Sequence, residues 1–321
     1  MSAVTTDASR TVALGIDLGG TKVEAALVDA TGSVIAASRF RTPTGPTATS
    51  ADLEAAVRGV IASSLAVLPP DHELIGVGVG SAGPISVANG RVSPLNLPVW
   101  RDYPFRDLVA SAVPEGIPVV LRMDGQCITL AEHWVGAGVG CDNLMGMIVS
   151  TGIGGGLILR GMTVAGPTGN AGHIGHVEVG GFDDPCLCGG IGCVEGIASG
   201  PRTVAWAVRQ GWVGSTGEEL SAAYAAGDEI ARAAVARSGR AIGQAIASAT
   251  ALVDLDLVAI GGGFSRVTPD LFDYIREAIA ERVQFSFVTK VRVVPSALSD
   301  EGPLIGSAAL IHRAELVPPA L

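Results

Sequence analysis

Residues 12–28 read Val12-Ala13-Leu14-Gly15-Ile16-Asp17-Leu18-Gly19-Gly20-Thr21-Lys22-Val23-Glu24-Ala25-Ala26-Leu27-Val28. An apolar run reaches the acid Asp17, a glycine pair follows, and a second apolar run leads to the turn Asp29-Ala30-Thr31-Gly32. This pattern predicts a β-hairpin whose tip is made of backbone amides. A third apolar run over 34–37 is expected to extend the meander. The unit recurs: residues 144–149 lead into Ser150-Thr151-Gly152-Ile153-Gly154-Gly155-Gly156, then Leu157-Ile158-Leu159 and the turn Arg160-Gly161. Two strand–glycine loop–strand units in one chain predict two related half-folds facing each other.

Between the units, residues 51–67 read as a helix, because Leu53, Val57, Val60, Ile61 and Leu65 share one face at helical spacing. Strands are expected over 74–79 and 119–123. Further helices are expected over 195–208 and 230–251, the second apolar enough to be buried, with Gly239 as a soft spot. A strand over 257–260 ends in Gly261-Gly262-Gly263. A last strand over 291–294 and a closing helix over 302–312 complete the pattern. No tandem repeat of solenoid period occurs.

At 321 residues the chain is long enough for two domains. Hydrophobic residues make up 48%, charged residues 16% and aromatics 4%, with 44 glycines, which suits an α/β protein of buried aliphatic strands and glycine turns. The net charge of −10, with no basic stripe to offset it, argues against a nucleic-acid partner. A phosphate ligand must then be held by backbone dipoles, Mg²⁺ and a few cations. Residues 1–10 are polar and lack the apolar core of a signal peptide. No apolar stretch reaches membrane-spanning length without Gly, Pro or charge, so no membrane partner is expected.

No Gly-x4-Gly-Lys-Ser/Thr occurs, which excludes a P-loop. Gly78, Gly80 and Gly83 form a Gly-x-Gly-x-x-Gly, but Pro84-Ile85-Ser86-Val87 follows and no helix is expected to start there, as a dinucleotide site requires. The stronger phosphate-binding candidates are Gly19, Gly20, Thr21 and Lys22, and Thr151, Gly152, Gly154 and Gly155. Glycines let main-chain N–H groups approach phosphate oxygens closely. Asp17 beside the first loop would repel phosphate unless Mg²⁺ bridges the two, directly or through water. Either loop alone reads equally well as an ordinary hairpin turn.

A second cluster lies in Gly172-His173-Ile174-Gly175-His176 and the following Cys186-Leu187-Cys188, Cys193 and Glu195. Three thiolates and an imidazole, from His176, Cys186, Cys188 and Cys193, can close a tetrahedral zinc shell. The competing reading is a disulfide plus a spare thiol, although cysteines one residue apart are poorly placed to bridge. The intervening 177–185 is rich in Gly and Asp, has little packing power of its own, and would take its shape from the metal. A catalytic zinc is disfavoured, since four protein donors leave no position for water. Thiolates are best kept reduced, which points to the cytoplasm.

The run from Gly172 through Cys193-Val194-Glu195-Gly196-Ile197-Ala198-Ser199-Gly200 resembles the signature of the ROK family, named for repressors, open reading frames and sugar kinases. With Gly261, Gly262 and Gly263, the two glycine loops are similar to the phosphate and adenosine motifs of the actin-like ATPase fold. The resemblance implies an α/β, two-lobed actin-like (ribonuclease H-like) fold with a central ATP/sugar cleft. It places an N-terminal lobe at 1–121, joined by the C-terminal 300–321, and a second lobe at 122–299 containing the zinc segment 173–195. It implies an ATP-dependent kinase acting on a hydroxymethyl group of a hexose, amino sugar or polyol, with ATP, Mg²⁺ and structural Zn²⁺, and a homodimer. Asp124, between a strand and a helix, is similar to the family's catalytic base, and Asn96 to the asparagine of its sugar loop. Glu195 and His176 are further expected sugar contacts.

The chain departs from the pattern at three positions. The asparagine usually before the base is Met123, the later asparagine is Gln126, and the glutamate of the more usual Glu-x-Gly-His is His173. His173 and Gln126 are similar to N-acetylmannosamine kinases; Met123 fits neither these nor glucokinases, which leaves the sugar open. Two other readings compete. A degenerate relative would bind sugar or cyclitol without efficient turnover. A regulator would carry a winged-helix region ahead of the first phosphate motif, where only about a dozen residues stand.

Overall fold

The computed structural model describes residues 10–282, 284–298 and 300–319; residues 1–9, where no signal peptide is expected, and 320–321, the end of the expected closing segment, lie outside it. The first half runs β1 (Thr11–Leu18), β2 (Lys22–Asp29), β3 (Phe40–Pro43), α1 (Ser50–Ala66), β4 (Glu73–Ser81), the short pair β5 (Ile85–Ser86) and β6 (Arg91–Val92), α2 (Phe105–Ala110) and β7 (Val119–Met123). Its sheet has the order β3-β2-β1-β4-β7, antiparallel across the hairpin and parallel from β1 to β7.

The second half starts with α3 (Asp124–Val135), β8 (Leu144–Val149), β9 (Ile153–Leu159) and β10 (Met162–Thr163). It continues with α4 (Val194–Ala198), α5 (Gly200–Arg209), α6 (Gly217–Ala225), α7 (Glu229–Val253), β11 (Leu257–Gly261), α8 (Asp270–Arg282), α9 (Ser286–Thr289), β12 (Arg292–Pro295) and α10 (Gly302–His312). Its sheet has the order β10-β9-β8-β11-β12. Hairpin, meander and two parallel strands follow in the same sequence as in the first sheet. The two half-folds inferred from the glycine loops are therefore repeats of one topology.

Side-chain size along β1 and β4 explains how the first sheet is covered. Val12, Leu14, Ile16 and Leu18 alternate with smaller residues and pack with Leu53, Val57 and Ile61 of α1. The opposite face carries Gly15, Gly76, Gly78 and Gly80, and α10 lies against it. A methyl at Gly78 would fall 1.6 Å from the Ser307 carbonyl oxygen, and one at Gly15 2.2 Å from that of Leu304. The Gly78-x-Gly80-x-x-Gly83 pattern is thus largely a groove for a helix, and β5 rather than a helix follows it. α10 also meets α3, where a methyl at Gly306 would fall 1.8 Å from the Cys127 carbonyl oxygen. α3 packs against β8 and β9 in turn, so the two sheets are joined through α10 and α3.

Several expectations are corrected. Residues 34–37 do not form a strand: Val34 makes one isolated bridge to Val28, a 3₁₀ turn spans Ala36–Ser38, and the third strand is Phe40–Pro43. The helix expected over 195–208 is two helices, because Ser199 is extended (φ −64°, ψ 154°) and Pro201 opens the second. Gly239 is no soft spot, since a methyl there would meet Tyr274 Cβ at 2.5 Å where α7 crosses α8. Among the described residues no helix is long and apolar enough to cross a membrane.

Candidate active site

Asp124 is the first residue of α3 and follows β7 directly. Its carboxylate accepts the Gly125 N–H at 2.7 Å. Burial pushes its pKa up to about 6, opposed by that hydrogen bond and assisted by the charge of Glu195. Asp17, near the end of β1, is pushed up to about 7, first by burial and then by Asp124. Two carboxylates set by strands of the first sheet, β1 and β7, therefore lie close enough for the charge of Asp124 to act on Asp17. Gly154 adjoins Asp124, since a methyl there would sit 3.7 Å from its Oδ1.

The first glycine loop is closed by the Gly19 N–H donating to the Lys22 carbonyl at 2.9 Å. Gly20 presses on Asn96: a methyl there would lie 2.6 Å from the Asn96 Cβ. Thr21 stands exposed at the tip. The Lys22 ammonium pairs with the buried Glu24 carboxylate, which Arg39 also contacts at 3.0 Å, and its charge lowers the pKa of Asp17. In the second loop, the Ile153 N–H donates to Glu195 Oε2 at 2.9 Å, and a methyl at Gly152 would strike the same oxygen at 2.7 Å. Glu195 thus braces the loop of Thr151, Gly152, Gly154 and Gly155. A methyl at Gly155 would lie 2.9 Å from Ile174 Cγ2, beside His173.

The third glycine run meets the second loop. Gly262 has φ +94°, and a methyl there would lie 2.5 Å from the Val149 carbonyl oxygen. Gly261 abuts Ser296, and Gly263 lies near Ser150. Thr151 and Gly263 line a cavity of about 620 Å³ together with Pro201, Thr216, Ser221 and Arg266. Sequence reasoning missed those last four. The capping box Thr216-x-x-Glu219, in which each side chain meets the other's backbone N–H, was the available signal for a helix start there.

Beside Asp124, Met123 and His173 converge on Gly83. A methyl at Gly83 would sit 2.7 Å from His173 Nε2 and 3.2 Å from Met123 Sδ. The His173 Nε2 is buried without a hydrogen-bond partner, and burial holds the imidazole pKa below its usual value. Met123 is 2% exposed and belongs to the first sheet's core. Gln126 turns to the segment before His173, where its amide donates to the carbonyls of Val164, Gly169 and Ala171 at 3.3–3.4 Å. Asn170, unflagged by the sequence, clasps Ile85 through both backbone groups at 2.8 and 2.7 Å, tying this segment to the first half.

His176 Nδ1 lies 3.6 Å from Cys186 Sγ, and the sulfurs of Cys188 and Cys193 are 3.7 Å apart. All four donor atoms lie within 4.8 Å of one another. A tetrahedral shell with Zn–S of about 2.3 Å and Zn–N of about 2.0–2.1 Å has edges of about 3.5–3.8 Å, so the donors fit structural Zn²⁺. The segment leading to them is better packed than its composition suggests: Val179 is buried, and Phe182 rests on the second core.

The chain is 32% identical to a glucokinase from Thermotoga maritima, covering 94% of this chain and 97% of that protein. It is 35% identical to an N-acetylmannosamine kinase from Yersinia pseudotuberculosis, covering 94% and 99%. A ROK family glucokinase from Streptomyces griseus, solved with glucose and AMPPNP, superposes with a TM-score of 0.81 at 29% identity, covering 94% of this chain and 99% of that one. Fold and site together define a sugar kinase with the two-lobed actin-like ATPase fold. The chain belongs to the ROK family, whose sequence model matches residues 13–314.

Proposed function

We propose that the chain transfers the γ-phosphate of ATP to the hydroxymethyl group of a hexose or N-acetylhexosamine, with Asp124 as the base. The observation that carries this reading is the meeting of Asp124 and Asp17 in one cleft beside the Thr151–Gly155 loop. Asp124 accepts the proton of the attacking hydroxyl, and the amides of the glycine loops orient the phosphates. Asp17 would hold Mg²⁺, which when bound would supply charge neutralisation for the phosphate oxygens. Asn96, Met123, His173, His176 and Glu195 line the sugar side. The cavity holding Thr151 and Gly263 takes the adenosine. Positioning and charge stabilisation then supply most of the rate, and lobe closure excludes water.

The lobes of this reading are 1–121 with 300–321, and 122–299. The packing of α10 on the first sheet supports that division. A homodimer in the cytoplasm is the assembly and compartment that the family and the thiolate cluster favour. The test is ADP release with ATP and a panel of glucose, N-acetylmannosamine, N-acetylglucosamine, mannose, fructose and cyclitols. One sugar should give turnover far above the sugar-free background. Release no higher with any of them would refute the proposed reaction.

A further inference from the structure

Arg237 of α7 has no part in the reaction described above, yet its guanidinium makes four separate contacts. It pairs with the Asp184 carboxylate, and Nη1 donates to the Ile197 carbonyl at 3.4 Å. It lies over the rings of Phe182 and Trp206, 5.1 and 5.4 Å from their centroids. The side chain is only 16% exposed, so the charge is largely withdrawn from water and depends on these partners. Asp184 also has the exposed Arg209 at 3.6 Å.

The partners fall on three segments: the one leading to the cysteines, α4 and α5. Phe182 and Asp184 precede the ligand Cys186, and the Asp184 carbonyl accepts the Gly192 N–H at 2.9 Å next to the ligand Cys193. Ile197 is in α4, two residues beyond Glu195, whose carboxylate braces the loop at Ile153. Trp206 is in α5, whose first residues border the adenosine-side cavity. A planar guanidinium can stack on ring faces while donating in its plane; an ammonium cannot do both.

We infer that Arg237 is a positioning residue that sets the zinc segment and Glu195 against the phosphate loop by holding Asp184, Ile197, Phe182 and Trp206 at once. It acts through Glu195 and His176 and touches no substrate. The zinc donors keep the ligand end of the segment in shape, while Arg237 fixes where that end stands relative to the cleft. The part of this inference that concerns sugar binding rests on the kinase reading; the part that concerns zinc retention does not.

The test compares wild type with Arg237→Lys and with the paired Arg237→Met/Asp184→Asn, which leaves no stranded carboxylate. Each is assayed at least ~15 °C below its melting temperature, for zinc release to excess chelator and for KM of sugar and of ATP. Arg237→Lys keeps a cation for Asp184 but loses the planar stack and the Ile197 contact. Both variants should bind stoichiometric zinc, release it about 5-fold faster or more, and raise sugar KM about 5–10-fold with ATP KM within about 2-fold. Should the paired variant not fold, the lysine variant decides alone. Unchanged zinc release, or unchanged sugar KM, in a folded variant overturns the inference. If wild type phosphorylates no sugar, the proposed function fails, and zinc release by itself still decides whether Arg237 holds the segment.

Discussion

A carboxyl group withdrawn from water is costly to the resting protein. Asp124 moves from 3.8 to about 6 on folding, so between those values the folded chain holds its proton more tightly than the unfolded chain. Stability from this group is therefore lost as pH rises through that window, by about 1–3 kcal/mol. Asp124→Asn escapes the penalty. Without ligands it should melt a few degrees above wild type at pH 7.5, and the gain should vanish near pH 4. Its turnover should fall about 10²–10⁴-fold, since an amide cannot take the proton. In wild type, kcat/KM for the sugar should drop tenfold per pH unit below about pH 6 and level off above it. A variant retaining more than about a tenth of wild-type turnover would show that Asp124 is not the base.

Specificity belongs to the same scale. The sequence marks Met123 and His173 as departures, but only their meeting at Gly83 shows that they act on one spot. Gly83→Ala should push the His173 ring aside and change sugar kcat/KM about 10-fold, with ATP KM unaffected. Equal effects on both substrates would mean that the methyl disturbs the cleft as a whole.

Elements are where sequence reading succeeds and fails most clearly. β7 and α10 have the expected bounds, because each is a bounded apolar run with a clear stop. α8 was not foreseen, and the misreading of Gly239 has the same origin: a glycine within a helix reads as weakness until the helix crossing it is known. The glycines of β4 match a nucleotide motif in spacing, which the sequence sets aside because no helix follows, but nothing in it reveals that their face receives α10. Gly78→Ala should cost about 3 kcal/mol in urea denaturation through steric overlap alone. Gly59→Ala, on the exposed side of α1 with no atom within 4 Å, should gain up to about 1 kcal/mol. If both changes cost alike, packing is not what those strand glycines serve. In the zinc segment, Cys193→Ser should lose the metal and raise sugar KM at unchanged ATP KM. Full zinc occupancy in that variant, by metal analysis of chelator-free protein, would exclude Cys193 as a ligand.

At the scale of the whole molecule, the duplicated topology was legible because each half announces itself with the same strand–glycine–strand phrase. What joins the halves was not. Asn170 clasping Ile85, and Gly306 letting α10 meet α3, are contacts between distant residues that no local pattern encodes. If closure is movement about that α3–α10 junction, sugar plus a non-hydrolysable ATP analogue should shrink the particle. One compact chain of this length has a radius of gyration of about 20 Å, and X-ray scattering should record a fall of roughly 0.5–1 Å for each chain of the particle. No change with both ligands bound would mean that the cleft is already closed.

The helix α10 also sets an order of events during synthesis. The first sheet is complete once β7 ends at Met123, yet the helix that fills its glycine groove begins only at Gly302. At ~5–20 residues per second, the sheet waits on the order of 10–30 s for its cover. The second sheet has no such delay, because α3 precedes it and α7 and α8 emerge among its own strands. The half translated first is thus finished last, and the face exposed meanwhile is the one that its glycines leave smooth.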